Sequence, residues 1–138
     1  MEVFYISNYR GFKPESEIHL IVEPVDFRKS VDGLTAIIQL ELQLDPMASG
    51  CFMFCNKQHN KIKIIEWDFN GFWLAYKRLE SGKFKWPQST LPVMSISREQ
   101  YDWLMNGLNI NQRDGFSEVL VLLLLFLVQK LMVFLVRE

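Results

Sequence analysis

Residues 51–87 read CFMFCNKQHNKIKIIEWDFNGFWLAYKRLESGKFKWP, and they carry most of the strand pattern of the chain. Its four apolar runs, CFMFCN, KIKIIEW, FWLAYKRL and KFKWP, have the composition and alternation of β-strands. They are separated by KQHN, DFNG and ESG, which contain the Asn, Asp and Gly residues that tight turns require. The pattern therefore predicts an antiparallel meander of four strands.

One strand and one helix are predicted before the meander. Residues 18–22, IHLIV, form a short apolar run rich in branched side chains, which is typical of a strand. In residues 26–45 the apolar side chains recur every three or four positions, which is the spacing of one helix face. Asp26 is expected to cap this helix, and Asp45 is expected to end it before Pro46.

A second helix is predicted at SISREQYDWLMNGL, residues 95–108. Ser97 and Gln100 have the spacing of a capping box. The apolar face of this helix consists of Tyr101, Leu104, Met105 and Leu108. A sheet with helices packed on one of its faces is the economical arrangement, so residues 1–117 are predicted to form one α+β domain.

Residues 118–138 form an apolar C-terminal extension of different character. Sixteen of the eighteen residues from Val119 to Val136 are apolar, and the exceptions are Gln129 and Lys130. A membrane span needs about 20 residues, and a lysine near its middle would cost roughly 2.5–3.5 kcal/mol. Packing on the domain or on a second copy is therefore favoured over a membrane span, because so much apolar surface is not left in water. We expect homo-oligomers that form through this segment.

The charge and the cysteine content of the chain exclude some classes of protein. The 138 residues carry a formal net charge of −1, without the basic excess of a non-specific nucleic-acid binder. Basic residues are concentrated between Lys57 and Lys85, a segment that contains seven Lys or Arg residues and three acidic residues. Two cysteines, together with opening residues that do not resemble a secretory signal, predict a reduced, cytoplasmic protein.

Cys51, Cys55 and His59 have the spacing of ligands on one helix face, which raises the question of a zinc site. The segment is predicted to be a strand, however, and the two sulfur atoms would then lie about 13 Å apart along it. That separation excludes joint chelation and a disulfide, so buried and inert thiols are expected instead. The sequence predicts no metal and no cofactor.

Four carboxylates are candidates for strand-cutting chemistry, which needs three of them around two metal ions. They are Asp26, Asp32, Glu66 and Asp68. The first is expected to cap a helix, the second to lie on that helix away from the others, and the last two to lie at a strand end and its turn. Neither histidine has a nucleophile partner in a motif such as G-x-S-x-G, and a glycine-rich phosphate loop is absent from the sequence. The sequence therefore predicts a protein that is not an enzyme.

Residues 76–87, YKRLESGKFKWP, combine basic and aromatic side chains around a Ser-Gly turn. The candidate phosphate contacts are Lys77, Arg78, Lys83 and Lys85, joined by Arg28 and Lys29 at the start of the first helix. Tyr76 and Trp86 are candidates for stacking on unpaired bases. The alternatives are lysines that only keep a hairpin in solution, and tryptophans, Trp67 and Trp73 above all, that fill the core.

Taken in order, these blocks resemble the TnpB accessory proteins, the second open reading frame products of transposons of insertion sequence family 66. The matching blocks are Asp26 to Leu34, Phe52 to Lys57, Lys63 to Phe72, Tyr76 to Pro87 and Ser97 to Leu108. The resemblance covers roughly residues 18–112. The amino end is longer than the family pattern, and the apolar tail after about Ser117 has no counterpart in it, as the loss of a stop codon or a shifted reading frame would explain.

The resemblance implies an accessory factor of transposition that acts beside a larger protein carrying the strand-cutting chemistry. Binding to DNA at the transposon ends through the basic hairpin is the first expectation for its activity. The alternative is an adaptor that docks on the catalytic transposase subunit through exposed aromatic residues of the meander.

Overall fold

The computed structural model describes residues 11–15 and 17–136. Most of the long amino end noted above, residues 1–10, lies outside this range. In chain order the elements are β1 (Ile18–Ile21), α1 (Val31–Ala36) with a π-helical continuation (Ile37–Glu41), β2 (Cys51–Cys55), β3 (Lys61–Asp68), β4 (Gly71–Arg78), β5 (Val93–Ile96), α2 (Arg98–Met105) and α3 (Arg113–Val136). They form an α+β fold, as predicted.

The sheet has five strands in the order β4-β3-β2-β1-β5. β2, β3 and β4 form an antiparallel meander, in agreement with the turn residues between them. β1 is parallel to β2 and antiparallel to β5, a strand that the sequence pattern does not predict. The predicted meander is therefore correct for three strands and wrong for the fourth.

The fourth predicted strand, KFKWP at residues 83–87, is not a strand of this sheet. After β4 the chain turns at Gly82, whose φ is +79°. The Phe84 N–H then donates to the His59 carbonyl at 2.7 Å, and Phe84 and Trp86 enter the core. Burial of these two rings decides the path of the segment, because a strand paired with β4 would carry them beyond the edge of the core.

β2 is buried along its whole length, on both faces of the sheet. One face, which we call the α2 face, contains Cys51, Met53, Cys55, Ile62 and Ile64. The opposite face, the α1 face, contains Phe52, Phe54 and Ile65. Tyr101 and Leu104 of α2 pack on the first, and Leu34 and Ile38 pack on the second. The expectation that the helices share one face is wrong, because a central strand that is apolar on both sides requires a cover on each.

α1 begins later and its continuation ends earlier than the sequence predicts, at Glu41 instead of Asp45. Ser30 occupies its N-cap position without a side-chain hydrogen bond, and the helix starts at Val31. The Asp26 carboxylate instead accepts hydrogen bonds from the backbone N–H and the guanidinium of Arg28. The predicted cap is therefore wrong, because the aspartate forms a local turn before the helix, a common alternative for this residue type.

α2 begins as the sequence predicts, with a capping box. The Ser97 hydroxyl accepts the Gln100 N–H at 3.1 Å, and the Gln100 side chain accepts the Ser97 N–H at 2.9 Å. Tyr101, Leu104 and Met105 are buried, but Leu108 is exposed. The helix ends at Met105 and Gly107 turns the chain at a φ of +82°, so Leu108 does not belong to the apolar face.

α3 is a single helix of 24 residues that contains the apolar segment. Its large apolar side chains between Leu124 and Val136 are 48–84% exposed. The apolar character thus extends around the helix, in agreement with the sequence pattern. Within the described part of the chain, no helix combines the length and the apolar character needed to cross a membrane.

Candidate nucleic-acid interface

The register of β3 and β4 divides the predicted phosphate contacts between the two faces of the sheet. Tyr76 pairs with Lys63 and Arg78 pairs with Lys61, and these four side chains lie on the α1 face. Lys77 lies on the α2 face with its partner Ile62. The sequence alternation predicts this division correctly, but it also means that Lys77 and Arg78 point to opposite sides of the same edge strand.

Lys63 is a buried lysine that holds the segment before α1 against the sheet. Its Nζ donates to the carbonyls of Phe27 at 2.8 Å and Lys29 at 2.7 Å. It also lies 5.1 Å from the centroid of the Phe27 ring and 5.7 Å from that of Tyr76, within the range of cation–π attraction. Burial lowers the pKa of Lys63 below its ordinary value, while the nearby Asp26 opposes that shift.

The role of Lys63 was not found among the candidate site residues in the sequence. The two carbonyls that it binds flank Arg28, so the lysine fixes the backbone that carries the basic pair Arg28 and Lys29. One feature of the sequence could have indicated this role. Lys63 lies between Ile62 and Ile64 in a predicted strand, and a lysine buried in a sheet needs hydrogen-bond partners.

Two of the predicted phosphate contacts form ion pairs with neighbouring carboxylates. Arg28 Nη2 lies 2.6 Å from Asp26 Oδ2, and the hydrogen bonds from Arg28 lower the pKa of Asp26 to about 2. Arg78 Nη2 lies 2.9 Å from Glu80 Oε1, and this pair raises the pKa of Arg78. Both ion pairs are on the surface, where the free energy of such a pair is small. A phosphate would have to displace a carboxylate from each guanidinium.

The lysines after β4 are in a different situation. Residues 79–87, which we call the basic loop, bury Phe84 and Trp86 and expose Lys83 and Lys85. This is the alternation predicted from the sequence, although the segment is not a strand. Within the described residues, Lys83 and Lys85 form no ion pair. Burial of the Phe84 and Trp86 rings in the core fixes the backbone of the loop, while the side chains of Lys83 and Lys85 are exposed to solvent.

Trp86 is buried at 6% exposure, and its indole N–H donates to the Ile21 carbonyl at 3.1 Å. The expectation that this ring stacks on a base is therefore wrong, because both its faces and its polar atom are engaged in the core. Tyr76, the other stacking candidate, is 52% exposed on the α1 face. Its ring lies 6.2 Å from that of Phe27.

Trp73 is exposed, whereas the sequence predicts that it is buried. It was expected to fill the core, but it is 62% exposed, and its N–H donates to Asp68 Oδ2 at 2.9 Å. Phe69, in the β3–β4 turn, is 90% exposed. β4 is an edge strand, and the packed helices do not extend over this end of it, so these rings face solvent.

The candidate carboxylates and the two thiols are not gathered into a metal-binding group within the described residues. Asp26 is paired with Arg28, Asp32 is exposed on α1, and Asp68 accepts from Trp73. Burial raises the pKa of both Cys51 and Cys55 to about 12, which keeps the thiols protonated and unreactive at neutral pH. Across residues 11–15 and 17–136 there is no group of three His, Cys, Asp or Glu side chains that could hold a metal ion.

Comparison with known proteins gives one family and two relatives. The family described as "IS66 Orf2 like protein" matches residues 16–115. "Uncharacterized protein y4jC" of Sinorhizobium fredii (strain NBRC 101917 / NGR234) is 36% identical over 92 residues, which are 67% of this chain and 79% of that protein. "Uncharacterized protein y4hO" of the same organism is 31% identical over 84 residues, 61% of this chain and 73% of the relative. No solved structure gives a significant match.

Proposed function

Because this chain belongs to the IS66 Orf2-like family, we propose that it is a non-catalytic accessory factor of transposition that binds the phosphate backbone of transposon-end DNA. The family is associated with transposition, which agrees with the resemblance seen in the sequence. The main proposed contacts are Lys77, Lys83 and Lys85, at the end of β4 and in the basic loop. The observation that supports them is the burial of Phe84 and Trp86 between exposed lysines.

The geometry of the basic loop suits phosphate binding for an energetic reason. Lysine contacts contribute to DNA affinity mainly by releasing counterions, and this gain is reduced when the side chain is already neutralised by a protein carboxylate. Lys83 and Lys85 lack such carboxylates in the described chain. Their backbone is held by core burial of the intervening Phe84, so little further ordering is required on binding.

Arg28, Lys29 and Arg78 form a weaker second set of contacts in this proposal. They lie on the α1 face, and Lys77 and the basic loop lie on the other side of the β4 edge. A duplex lying along this edge would meet long cationic side chains from both faces. The exposure of Tyr76 on the α1 face supports it as a further proposed contact, to an unpaired base or a sugar at the same edge.

A charge-reversal experiment tests the proposal. In a gel-shift assay at low salt with transposon-end duplex, Lys83→Glu combined with Lys85→Glu should weaken binding by about tenfold or more. The control is Lys13→Glu combined with Lys57→Glu, which changes the net charge equally at two exposed positions outside the basic loop. Equal affinities for the two double variants would remove the basic loop from the interface.

A second candidate function, an adaptor that docks on the catalytic transposase subunit, is favoured by the exposed edge of β4. The Leu79 N–H donates to the Asn60 carbonyl. By the alternation of antiparallel strands, the backbone groups of Phe72, Leu74 and Tyr76 then point away from β3, where an added strand would pair with them. Trp73 and Phe69 are exposed beside this edge.

Salt dependence and one substitution separate the adaptor from the DNA-binding factor. Binding to phosphate weakens steeply with salt, whereas an apolar dock hardly responds. Capture of the transposase subunit by this chain should fall after Trp73→Ser and should be unaffected by Leu91→Ser, a control at an exposed position away from β4. Unchanged capture by the Trp73 variant would argue against the adaptor.

We also propose that residues 1–117 form the functional domain and that α3 packs on a second copy of the chain. The family match ends at residue 115, near the start of α3, and the apolar side chains of α3 are exposed in the single chain. A chain that ends at Ser117 should be a folded monomer by size-exclusion chromatography with its DNA affinity intact, while the full chain should elute as a dimer or larger. A truncated chain that fails to fold would show that the helix completes the domain.

A further inference from the structure

A cavity of about 330 Å³ lies between the basic loop and the C-terminal end of α2. Its apolar part is formed by Leu79, Phe84 and Met105. Its polar part is lined by Lys77, Ser81, Lys83 and Asn106. The lining thus combines apolar and polar residues in similar measure, and the volume falls at the lower end of the usual range of about 300–1,000 Å³ for small-molecule sites.

The mouth of the cavity is open because two glycines border it. Gly82 and Gly107 have φ values of +79° and +82°, and at each position a Cβ would meet only open space. Side chains are therefore absent where the two walls approach each other. The backbone at both sides of the mouth is accessible to a ligand.

Hydrogen bonds hold both walls in place. On the loop side, the N–H groups of Leu79 and Phe84 donate to carbonyls of the β2–β3 turn at 2.8 and 2.7 Å. On the helix side, the Gly107 N–H donates to the Leu104 carbonyl at 3.0 Å, and the Leu108 N–H donates to the Trp103 carbonyl at 2.8 Å. The last carbonyls of α2 are thus largely occupied, which reduces the negative potential that a helix C-terminus would otherwise offer to an anion.

The charge of the cavity favours an anionic ligand. Lys77 and Lys83 approach it from the two sides of the β4-to-loop turn, and no carboxylate is among its lining residues within the described chain. Burial lowers the pKa of Lys77, in agreement with its half-buried position at the cavity.

We propose that this cavity binds one nucleotide of an unpaired DNA strand, with the base against Leu79, Phe84 and Met105 and the phosphate between Lys77 and Lys83. The inference rests on the proposed DNA binding and adds a preference for strands that are open. A base in a duplex is stacked and cannot enter, whereas a base in a single strand or a frayed end is available at small cost. Apolar contact with the base is tolerant of sequence, so the site recognises strand opening rather than a base sequence.

A substitution that fills the cavity without changing any charge tests this. Fluorescence anisotropy would compare a single-stranded 12-mer with the corresponding duplex for the full chain and for Ser81→Trp, which places a large ring at the exposed rim. Affinity for the single strand should fall at least fivefold. Affinity for the duplex should fall by a smaller factor, because Ser81 belongs to the basic loop but a paired base does not enter the cavity. The control Thr90→Trp, at an exposed position that does not line the cavity, should change neither.

A second variant and a competitor make the test independent of how one tryptophan packs. Lys77→Met keeps the length of the side chain and should also lower the preference for the single strand. Deoxyadenosine monophosphate at millimolar concentration should compete with the 12-mer for the full chain and not for Ser81→Trp. Equal losses for duplex and single strand in Ser81→Trp, or an unchanged affinity for the single strand, would overturn the proposal. Failure of the unsubstituted chain to bind either DNA would instead overturn the proposed function.

Discussion

The two basic groups beside β4 have similar charge in the sequence and differ in how that charge is engaged. On the α1 face, Arg28 and Arg78 each form an ion pair with a neighbouring carboxylate. In the basic loop, Lys83 and Lys85 point to solvent from a backbone that is fixed by buried rings. The number of cations in a segment therefore does not identify a phosphate site. Whether each cation has an acidic neighbour, and whether its backbone is held by the core, is more informative.

The largest expected effect concerns the ring that holds the basic loop. Trp86→Ala should lower the free energy of unfolding by about 3–5 kcal/mol, because it removes a buried ring and leaves a cavity. Trp73→Ala, at an exposed position, should lower it by less than about 1 kcal/mol. Urea denaturation of the two variants measures both values. Equal losses would show that Trp86 does not anchor the loop as described.

These two tryptophans also show what the sequence could and could not predict. An apolar run of branched side chains predicted β1, and period-two alternation predicted β2 to β4 and the burial of every second residue in KFKWP, because such patterns are local. The exposure of Trp73 depends on the position of β4 at the edge of the sheet, and the burial of Trp86 depends on where α2 packs. Both positions are set by contacts between distant parts of the chain and cannot be read from the local sequence. β5 was missed for the same reason, since four residues become a strand only by pairing with β1, over seventy positions earlier.

The candidate site was predicted in composition and not in arrangement. All six basic residues are on or near the surface around β4, but local sequence could not show that Asp26 would turn back to Arg28 instead of capping α1. It also could not show that Lys63 would reach two carbonyls more than thirty residues away. The bonds between Asp26 and Arg28 form a local turn that competes with the helix cap, whereas the contacts of Lys63 arise from the packing of the segment before α1 on the sheet.

An intermediate effect is expected for the lysine that holds the first basic pair. Lys63→Met should lower the free energy of unfolding by about 1–3 kcal/mol, because the carbonyls of Phe27 and Lys29 lose their donor. The DNA affinity of this variant should fall by about two- to threefold through the displaced Arg28 and Lys29. Lys61→Met, on the same strand, is the control and should change stability by less than about 0.5 kcal/mol. A stability loss no larger than that of the control would argue against the clamp.

Release of the paired arginines should have a small effect of opposite sign. Asp26→Asn and Glu80→Gln should each raise DNA affinity by about two- to threefold at low salt, since a surface ion pair of about 0.2–1 kcal/mol no longer competes with phosphate. A fall in affinity in both variants would mean that the carboxylates orient the arginines for DNA. Gel-shift titration of each variant provides the values.

The pH dependence of the Asp26–Arg28 pair follows from the lowered pKa of Asp26, about 2. A carboxyl group whose pKa is lowered in the folded state stabilises that state. This stabilisation is complete above the pKa of the unfolded chain, about 3.9, and is lost as the pH falls toward 2. The pair should therefore persist from pH 8 to pH 5. The effect of Asp26→Asn on DNA affinity should be the same at both ends of that range, and a difference would show that Asp26 titrates there.

The salt dependence of DNA binding distinguishes a phosphate interface at the basic loop from other modes of binding. For a duplex, the slope of log K against log salt concentration is about −0.9 for each phosphate contact, so Lys77 in β4 and Lys83 and Lys85 in the basic loop together contribute about −2.7. Replacing Lys83 and Lys85 by glutamine should make the slope shallower by about 1.8, while the same replacement at Lys13 and Lys57 should leave it unchanged. An identical slope for the full chain and the Lys83, Lys85 double variant would contradict a phosphate interface at the basic loop.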